Sequence, residues 1–592
     1  MATAMRRNED PHVSESSDDN AQSAESSRVD FKRADRSSST ALVSHPGMRV
    51  SAWISRAATQ SPRTLAALLG AIWGLVVVGP ARLNPLNVEW LRVGDLSSAY
   101  TNLLYFRQTS WWQWPMTSLP NYGVGWSTMF NESGVVPLGL AVKLLDPVLP
   151  THFQYFGLWV LACFVLQGVL AYVLLSRLKV TGLVLWVGVL LFVTAPILSF
   201  RFSQLGHHDL VAHWLILLAV ALYLDEKFRV ARLAGLLLLS LSINAYLFVI
   251  VVAVVIAHLV ALWMTHDRRP STMQFVRGTL LVLAPSLAAY AAFGYLSWGE
   301  NVVGVGTFRL SVGAFVARDF GGEEFAYLGL GSLVAIGFAA LVFTTRRYRL
   351  ARHWLPLVCV AAALFLVSLS NEVSFGSWSL EYPLPDWAES LRQVVRVANR
   401  LAWLPYYLLI LAGVVGVSRM GSRYRRFVPT LAVCIALLQV VDRVPATVLS
   451  ETGVLRAKAT WSVLQDPRWG KWQASADRVV LYPVFDVQGP STAPQSAVLA
   501  ETQDWFDIMW WAAEANLPTN FSYRSRPVGD IVTRENERLE LALATGDLDE
   551  NAVYITASRD AWRPVVRLLP KSMDTVFVDG LYVIYPIRER TS

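Results

Sequence analysis

Charge is scarce in this chain. Asp, Glu, Lys and Arg make up 16% of its 592 residues, against 54% hydrophobic residues, and the mean hydropathy is +0.39. Soluble chains carry about a quarter charged residues, so an ordinary soluble protein is excluded and a polytopic membrane protein is expected. Cysteine is nearly missing too. Cys163, Cys359 and Cys434 each lie inside an apolar run, where they act as small hydrophobes, and no disulfide framework marks the compartment. The first residues lack the apolar core and small-residue cleavage site of a secretory signal. Repeats of the kind found in many secondary transporters are not visible. The apolar runs are almost free of acidic residues, whereas ion-coupled transporters place ionisable groups near the bilayer midplane. Carboxylates collect between the runs instead, at Asp95, Glu132, Asp209, Asp319, Glu323, Glu324, Glu372 and Glu381. That distribution favours chemistry at one interface over conduction.

What is present is a succession of apolar runs near 64–80, 153–176, 182–199, 210–224, 232–247, 248–264, 275–297, 326–345, 353–370, 401–418 and 427–445. A hydrocarbon core takes about 20 helical residues, so these predict about 11 spans. The 232–264 stretch is too long for one crossing and is expected to fold as a pair around Asn244-Ala245-Tyr246. The run 134–149 contains Lys143, Asp146, Pro137 and Pro147. If it does not cross, nearly all interhelical basic residues fall on the cytoplasmic side, including RLK at 177–179, DEKFRVAR at 225–232 and TTRRYRLAR at 344–352. It is therefore read as a helix lying at the outer surface. The net charge of +7 is explained by this topological clustering and implies no nucleic acid.

Three regions are expected: a disordered cytoplasmic tail (1–60), a transmembrane domain (61–447) whose first outer loop (81–152) carries surface helices, and a small extracytoplasmic α/β domain (448–592). In the last, 478–484 and 552–556 read as strands, and Asp579-Gly580 reads as a hairpin turn between 576–578 and 581–585. Arg534–Thr545 reads as a helix stopped by Gly546.

The organising stretch is 91–133. Asp95 follows Gly94 just outside the first span, Trp111, Trp112 and Trp114 follow as an aromatic cluster, and Glu132 closes the stretch. A carboxylate at a membrane surface can take a proton from an acceptor hydroxyl, or orient a divalent cation that neutralises a leaving phosphate. The competing reading of Asp95 is a helix N-cap, and that of Glu132 a solvated surface charge. Arg201, His207, His208, Asp209 and His213 form a second group. Asp209 and His213 would share a helix face, and Arg201 and His207 suit phosphate or sugar hydroxyls. Glu324 and Tyr327 lie in a Gly-rich loop with hinge candidates at Gly304, Gly306, Gly321 and Gly322. Arg392, Arg396 and Arg400 recur every four residues, a cationic stripe on a helix that suits phosphate, with headgroup anchoring as the alternative.

The chain resembles the GT-C class of membrane glycosyltransferases in its first-loop acid, loop surface helices, many spans and extracytoplasmic tail. More narrowly, Gly94-Asp95, Gln154–Trp159, Arg201…Gly206-His207 and Tyr327–Gly331 resemble an uncharacterised bacterial multi-spanning family over most of 90–410. The GT-C resemblance implies inverting transfer from a polyprenyl-phosphate sugar, with Asp95 as base, in the bacterial plasma membrane, to a glycan, lipid or cell-envelope polymer. Many such enzymes pair two first-loop acids. Gly94-Asp95 supplies one, which leaves the metal requirement open and makes Glu132 the distant candidate for the second. The alternatives are a lipid or polysaccharide flippase and a non-catalytic envelope assembly protein.

Overall fold

A computed structural model describes residues 61–123, 128–265, 271–297, 308–345, 350–376, 378–386, 388–389, 395–420, 422–444, 464–484, 502–523 and 529–587. The expected tail (1–60), Arg392, Gly304 and Gly306 lie outside these residues.

The protein is mostly helical. In chain order the helices of the apolar part are α1 (Pro62–Val78), α2 (Gly94–Arg107), α3 (Val136–Leu145), α4 (Phe156–Arg177), α5 (Gly182–Val193), α6 (Pro196–Ser203), α7 (Trp214–Tyr223), α8 (Val230–Ile243), α9 (Ala245–Thr265), α10 (Thr272–Ala292), α11 (Leu330–Thr345), α12 (Leu355–Ser368), α13 (Trp403–Ser418) and α14 (Val428–Val444). Among the described residues, five helical stretches are long and apolar enough to cross a membrane: Phe156–Arg177, Gly182–Ser203, Ala245–Met264, Thr272–Ala292 and Ala398–Ser418. Shorter apolar helices fill other runs, among them Pro62–Val78 and Leu330–Thr345.

The long apolar stretch breaks at Asn244. Its backbone is extended between α8 and α9, and its Oδ1 accepts the Tyr246 N–H, at the start of α9, at 2.8 Å. Helices approach closely where side chains are missing. A Cβ on Gly70 of α1 would stand 2.2 Å from the Phe164 carbonyl oxygen of α4, and one on Gly168 would stand 2.3 Å from the Ala66 oxygen. Small residues let backbones meet where lipid gives helices no hydrophobic reason to associate.

Helix α2 differs from the expected surface helix. Every residue from Leu96 to Arg107 is buried, because the C-terminal part of the chain packs over it. That part contains α15 (Arg468–Ser475), α16 (Thr502–Glu514), α17 (Gly529–Thr545), α18 (Arg559–Val566) and a four-stranded sheet. Its strands are β5 (Arg478–Tyr482), β6 (Ala552–Thr556), β7 (Met573–Val578) and β8 (Leu581–Pro586), after the short earlier pairs β1 (Ser118–Leu119), β2 (Thr128–Met129), β3 (Glu372–Phe375) and β4 (Trp378–Glu381). The order is β5-β6-β8-β7, with β5 parallel to β6 and the other pairs antiparallel. The β7–β8 turn is Asp579-Gly580, both at positive φ. Helix α16 lies on α2, and Trp505 to Ala513 are all buried. Trp510 meets Tyr100 of α2 at 4.6 Å between ring centroids, and Arg92 sits 4.4 Å over the same indole. In α3, Val142 and Lys143 are buried and Leu144 and Leu145 are exposed.

Candidate functional site

Asp95 sits in the first turn of α2, where the helix dipole favours a carboxylate. It is not an N-cap, for Val93 holds that position without a side-chain bond. Its Oδ2 lies 2.6 Å from His207 Nε2, and its Oδ1 accepts from the Tyr523 hydroxyl at 2.7 Å. Gly206 permits the first contact. Its φ is +73°, and a Cβ there would stand 2.9 Å from Leu96 Cγ, so only glycine lets this turn lie on the start of α2. Burial raises the Asp95 carboxyl, but the bonds from His207 and Tyr523 outweigh it and hold it below the ordinary carboxylate value. An ionised carboxylate can only accept, so His207 Nε2 carries a proton.

His207 faces a second carboxylate, with Nδ1 3.7 Å from Glu323 Oε1. Two arginines grip Glu323. Arg201 donates through Nη1 to its carboxylate and through Nη2 to its backbone oxygen at 2.8 Å. Arg400 donates through Nη2 to Oε1 at 2.7 Å and through Nε to Oε2 at 3.3 Å. Asn399 Nδ2 also donates to the Glu323 backbone oxygen. Burial raises the Glu323 carboxyl, but the charges of Arg201, Arg400 and His207 hold it well below the usual range. Aromatic faces support the guanidiniums: Arg201 lies 5.3 Å over Trp403 and Arg400 4.7 Å over Tyr246. Side-chain exposure rises along the chain, from 1% at Arg201 through 11% at Arg400, 12% at Glu323 and 13% at His207 to 36% at Asp95. The arrangement is a buried ion cluster opening to the surface at Asp95.

Four of the sequence-predicted residues thus meet: Asp95, His207, Arg201 and Arg400. Arg396 does not share an α-helical stripe with Arg400. Residue 397 pairs in a bridge with Phe308, residues 398–402 form a 3₁₀ turn, and the Arg396 guanidinium lies 6.0 Å over the Phe308 ring. The bridge to Phe308 straightens the backbone where the stripe needed a helix. Glu324 is half-buried in the same 3₁₀ turn as Glu323, and it is Glu323 that the arginines hold. Tyr327 belongs to a separate cluster. Its hydroxyl lies 3.4 Å from Asp442 Oδ1, and its ring lies under Arg318, which pairs with Asp442. Glu132 ends the 3₁₀ turn 130–132.

Asp209 and His213 do not share a helix face. Both precede α7. Asp209 accepts from Asn244 Nδ2 at 2.6 Å, and His213 Nδ1 meets the Tyr407 hydroxyl at 2.8 Å. His208 is packed edge-on against Phe156 at 4.4 Å, and burial lowers it to about 4, so it is neutral. Among the described residues no group of three or more His, Cys, Asp or Glu is placed to hold a metal ion. Trp111, Trp112 and Trp114 are exposed, and Lys143 Nζ of α3 lies 4.9 Å over the Trp111 ring. The aromatic neighbours on the Asp95 side come from the C-terminal part, where Tyr523 packs on Trp505 and Phe506 at 5.6 and 5.4 Å.

Residues 67–444 match the model of a family described as a domain of unknown function, DUF6311, and residues 468–586 match that of the DUF6311 C-terminal domain. No curated protein matches the chain in sequence. Among solved structures, the crystal structure of the Archaeoglobus fulgidus oligosaccharyltransferase in the apo form is similar, with a TM-score of 0.36 and 12% identity over 77% of this chain and 64% of that one. The chain therefore spans less than two thirds of that enzyme's length, and a superposition this loose decides neither fold nor activity.

Proposed function

The chain belongs to the DUF6311 family, and on that premise we propose that it is a GT-C-like membrane glycosyltransferase. It moves a sugar from a polyprenyl-phosphate donor to a glycan, lipid or polymer at the outer face of the bacterial plasma membrane. The observation that carries the reading is one ionised carboxylate, Asp95, continuous through His207 and Glu323 with the Arg201–Arg400 pair at one end of an apolar helix bundle.

In the proposed reaction the acceptor hydroxyl oxygen bonds to the anomeric carbon as the bond from that carbon to the phosphate oxygen breaks. The hydroxyl proton passes to Asp95, and the electron pair leaves with polyprenyl phosphate. A carboxylate held below its ordinary pKa is a weak base, but the hydroxyl turns strongly acidic as its oxygen bonds to carbon, so late proton transfer suffices. The surplus positive charge that Arg201 and Arg400 carry over Glu323 stabilises the phosphate through space as its charge grows. Glu132 is kept in this reading as a secondary acid, Arg396 as an outer phosphate contact, and Glu324 and Tyr327 as loop contacts.

The proposed topology has about eleven spans, with the amino terminus inside and the C-terminal part outside. It is supported by the far end of the bundle, where Arg177, Arg229 and Arg232 gather around Asp225, as the positive-inside rule asks of a cytoplasmic face. The test is transfer from radiolabelled polyprenyl-phosphate sugars to envelope acceptors by the protein in lipid nanodiscs. Asp95→Asn should lose at least a hundredfold in rate. Equal transfer by both proteins removes Asp95 from the mechanism.

A further inference from the structure

We propose that Tyr523 is a positioning residue for Asp95, so that the C-terminal part of the chain is built into the site rather than appended to it as an acceptor-recruiting module. The inference rests on Asp95 being the proton acceptor.

The attachment is continuous. Thr519 pairs in parallel with Val479 of β5 on one side and with Tyr122 of the first loop on the other. Gly123 N–H donates to the Thr519 oxygen at 3.2 Å, and Thr519 N–H donates to the Asn121 oxygen at 3.0 Å. Residue 519 thus carries the C-terminal sheet onto the loop that follows α2. From inside α2, the buried Tyr105 hydroxyl donates to the Leu517 oxygen at 2.9 Å. Four residues beyond Thr519, Tyr523 N–H donates to the Tyr122 hydroxyl at 3.0 Å, and its own hydroxyl reaches Asp95. Backbone and side chain of Tyr523 are therefore both fixed against the first loop, with the ring clamped by Trp505 and Phe506 of α16.

The chemistry follows from which oxygen is engaged. His207 meets Oδ2 and Tyr523 meets Oδ1, so the two bonds fix the rotation of the carboxylate about Cβ–Cγ. A phenol cannot take the proton from a carboxylic acid of this strength, so Tyr523 stabilises the anion and aims it without carrying charge. Loss of the hydroxyl frees the carboxylate to rotate and raises its pKa.

Tyr523→Phe keeps the ring and its packing. The full-length protein in nanodiscs is titrated with dicyclohexylcarbodiimide, which reacts with protonated carboxyl groups, and labelling of the Asp95 peptide is followed by mass spectrometry. The labelling midpoint should rise by roughly half to one pH unit in Tyr523→Phe, and the acid limb of the transfer rate should move up by the same amount. The rate at the optimum should fall about tenfold, with donor KM unchanged. Tyr122→Phe, which removes the acceptor of the Tyr523 N–H, should shift the midpoint in the same direction by less. An unmoved midpoint and acid limb in Tyr523→Phe overturn the inference, even where Asp95→Asn abolishes transfer. Full transfer by Asp95→Asn overturns the proton-acceptor reading instead.

Discussion

Replacing Glu323 with Gln removes one charge from a cluster that cannot easily spare it. The side chains of Arg201, Arg400 and Glu323 are 1%, 11% and 12% exposed, so water does little to screen them. The wild-type trio carries one surplus positive charge; the variant leaves two guanidiniums facing a neutral amide. Breaking a buried pair by removing one partner costs about 3–5 kcal/mol, because the remaining charge stays buried and uncompensated. In a chain of this size that lowers the melting temperature by roughly 2–4 °C. The assay is thermal unfolding in nanodiscs followed by tryptophan fluorescence. The pH dependence has a definite sign. Glu323 is held well below its ordinary value of 4.5, so its contribution is complete above about that pH and is lost as the pH falls toward the folded value. The difference between Glu323→Gln and wild type should therefore be full at pH 7 and shrink below pH 4.5. Replacing the whole trio (Arg201→Met, Glu323→Leu, Arg400→Met) should recover much of the loss, since burying ions costs desolvation that apolar side chains avoid. Equal melting of wild type and Glu323→Gln at pH 7 would show that the trio is solvated and would refute the reasoning.

Three further outcomes follow from the same contacts. Asp442→Asn weakens the carboxylate that takes Arg318 and the Leu330 N–H at 3.1 Å; it should cost about 1–3 kcal/mol and speed hydrogen exchange over 308–330, and unchanged exchange there would count against it. Gly70→Leu puts a side chain into the Phe164 backbone, so folded, monodisperse protein should be largely lost on size-exclusion chromatography. Arg400→Lys keeps the charge but loses the two-pronged grip on Glu323; it should cost about 1–3 kcal/mol of stability by thermal unfolding.

The sequence carried the local signals and missed the long-range ones. The helix break at Asn244 was legible from length alone, and the β7–β8 hairpin from Asp579-Gly580, a pair suited to positive φ. Asp95, His207, Arg201 and Arg400 were legible one by one because charge is rare in this chain and theirs lies between apolar runs. Their convergence was not, since each comes from a different segment. The choice between Glu323 and Glu324 depended on the rotation of a 3₁₀ turn, which two adjacent identical residues do not encode. The arginine stripe failed because the spacing counts residues on a helix that the Phe308 bridge interrupts. Tyr523 was out of reach, 428 positions from Asp95. The one available hint was the apolar density of Trp505–Ala513, which needs a buried partner face and finds it on α2.

The charges also order the substrates. Arg201, Arg400 and His207 against Glu323 and Asp95 leave one positive charge, and Asp95 stands at the exposed end. A donor phosphodiester brings one more negative charge, so it is attracted through space by the surplus positive charge of the buried arginines and repelled by Asp95. The anomeric carbon then points outward, and the acceptor hydroxyl arrives at the open side of Asp95. Binding and chemistry are thereby opposed at one residue, because the charge that accepts the proton also pushes the donor away. Asp95→Asn should separate the two. Removing a like charge at the near-surface screening that 36% exposure implies is worth on the order of 1 kcal/mol, a several-fold gain in affinity. The variant should bind a non-hydrolysable polyprenyl-phosphate sugar more tightly than wild type by titration calorimetry while transferring nothing. The effect should shrink as salt is raised from 50 to 500 mM, because screening weakens the repulsion. Weaker donor binding by Asp95→Asn would mean that the carboxylate holds the donor directly, through sugar hydroxyls or a cation, and that the phosphate does not lie at the arginine end.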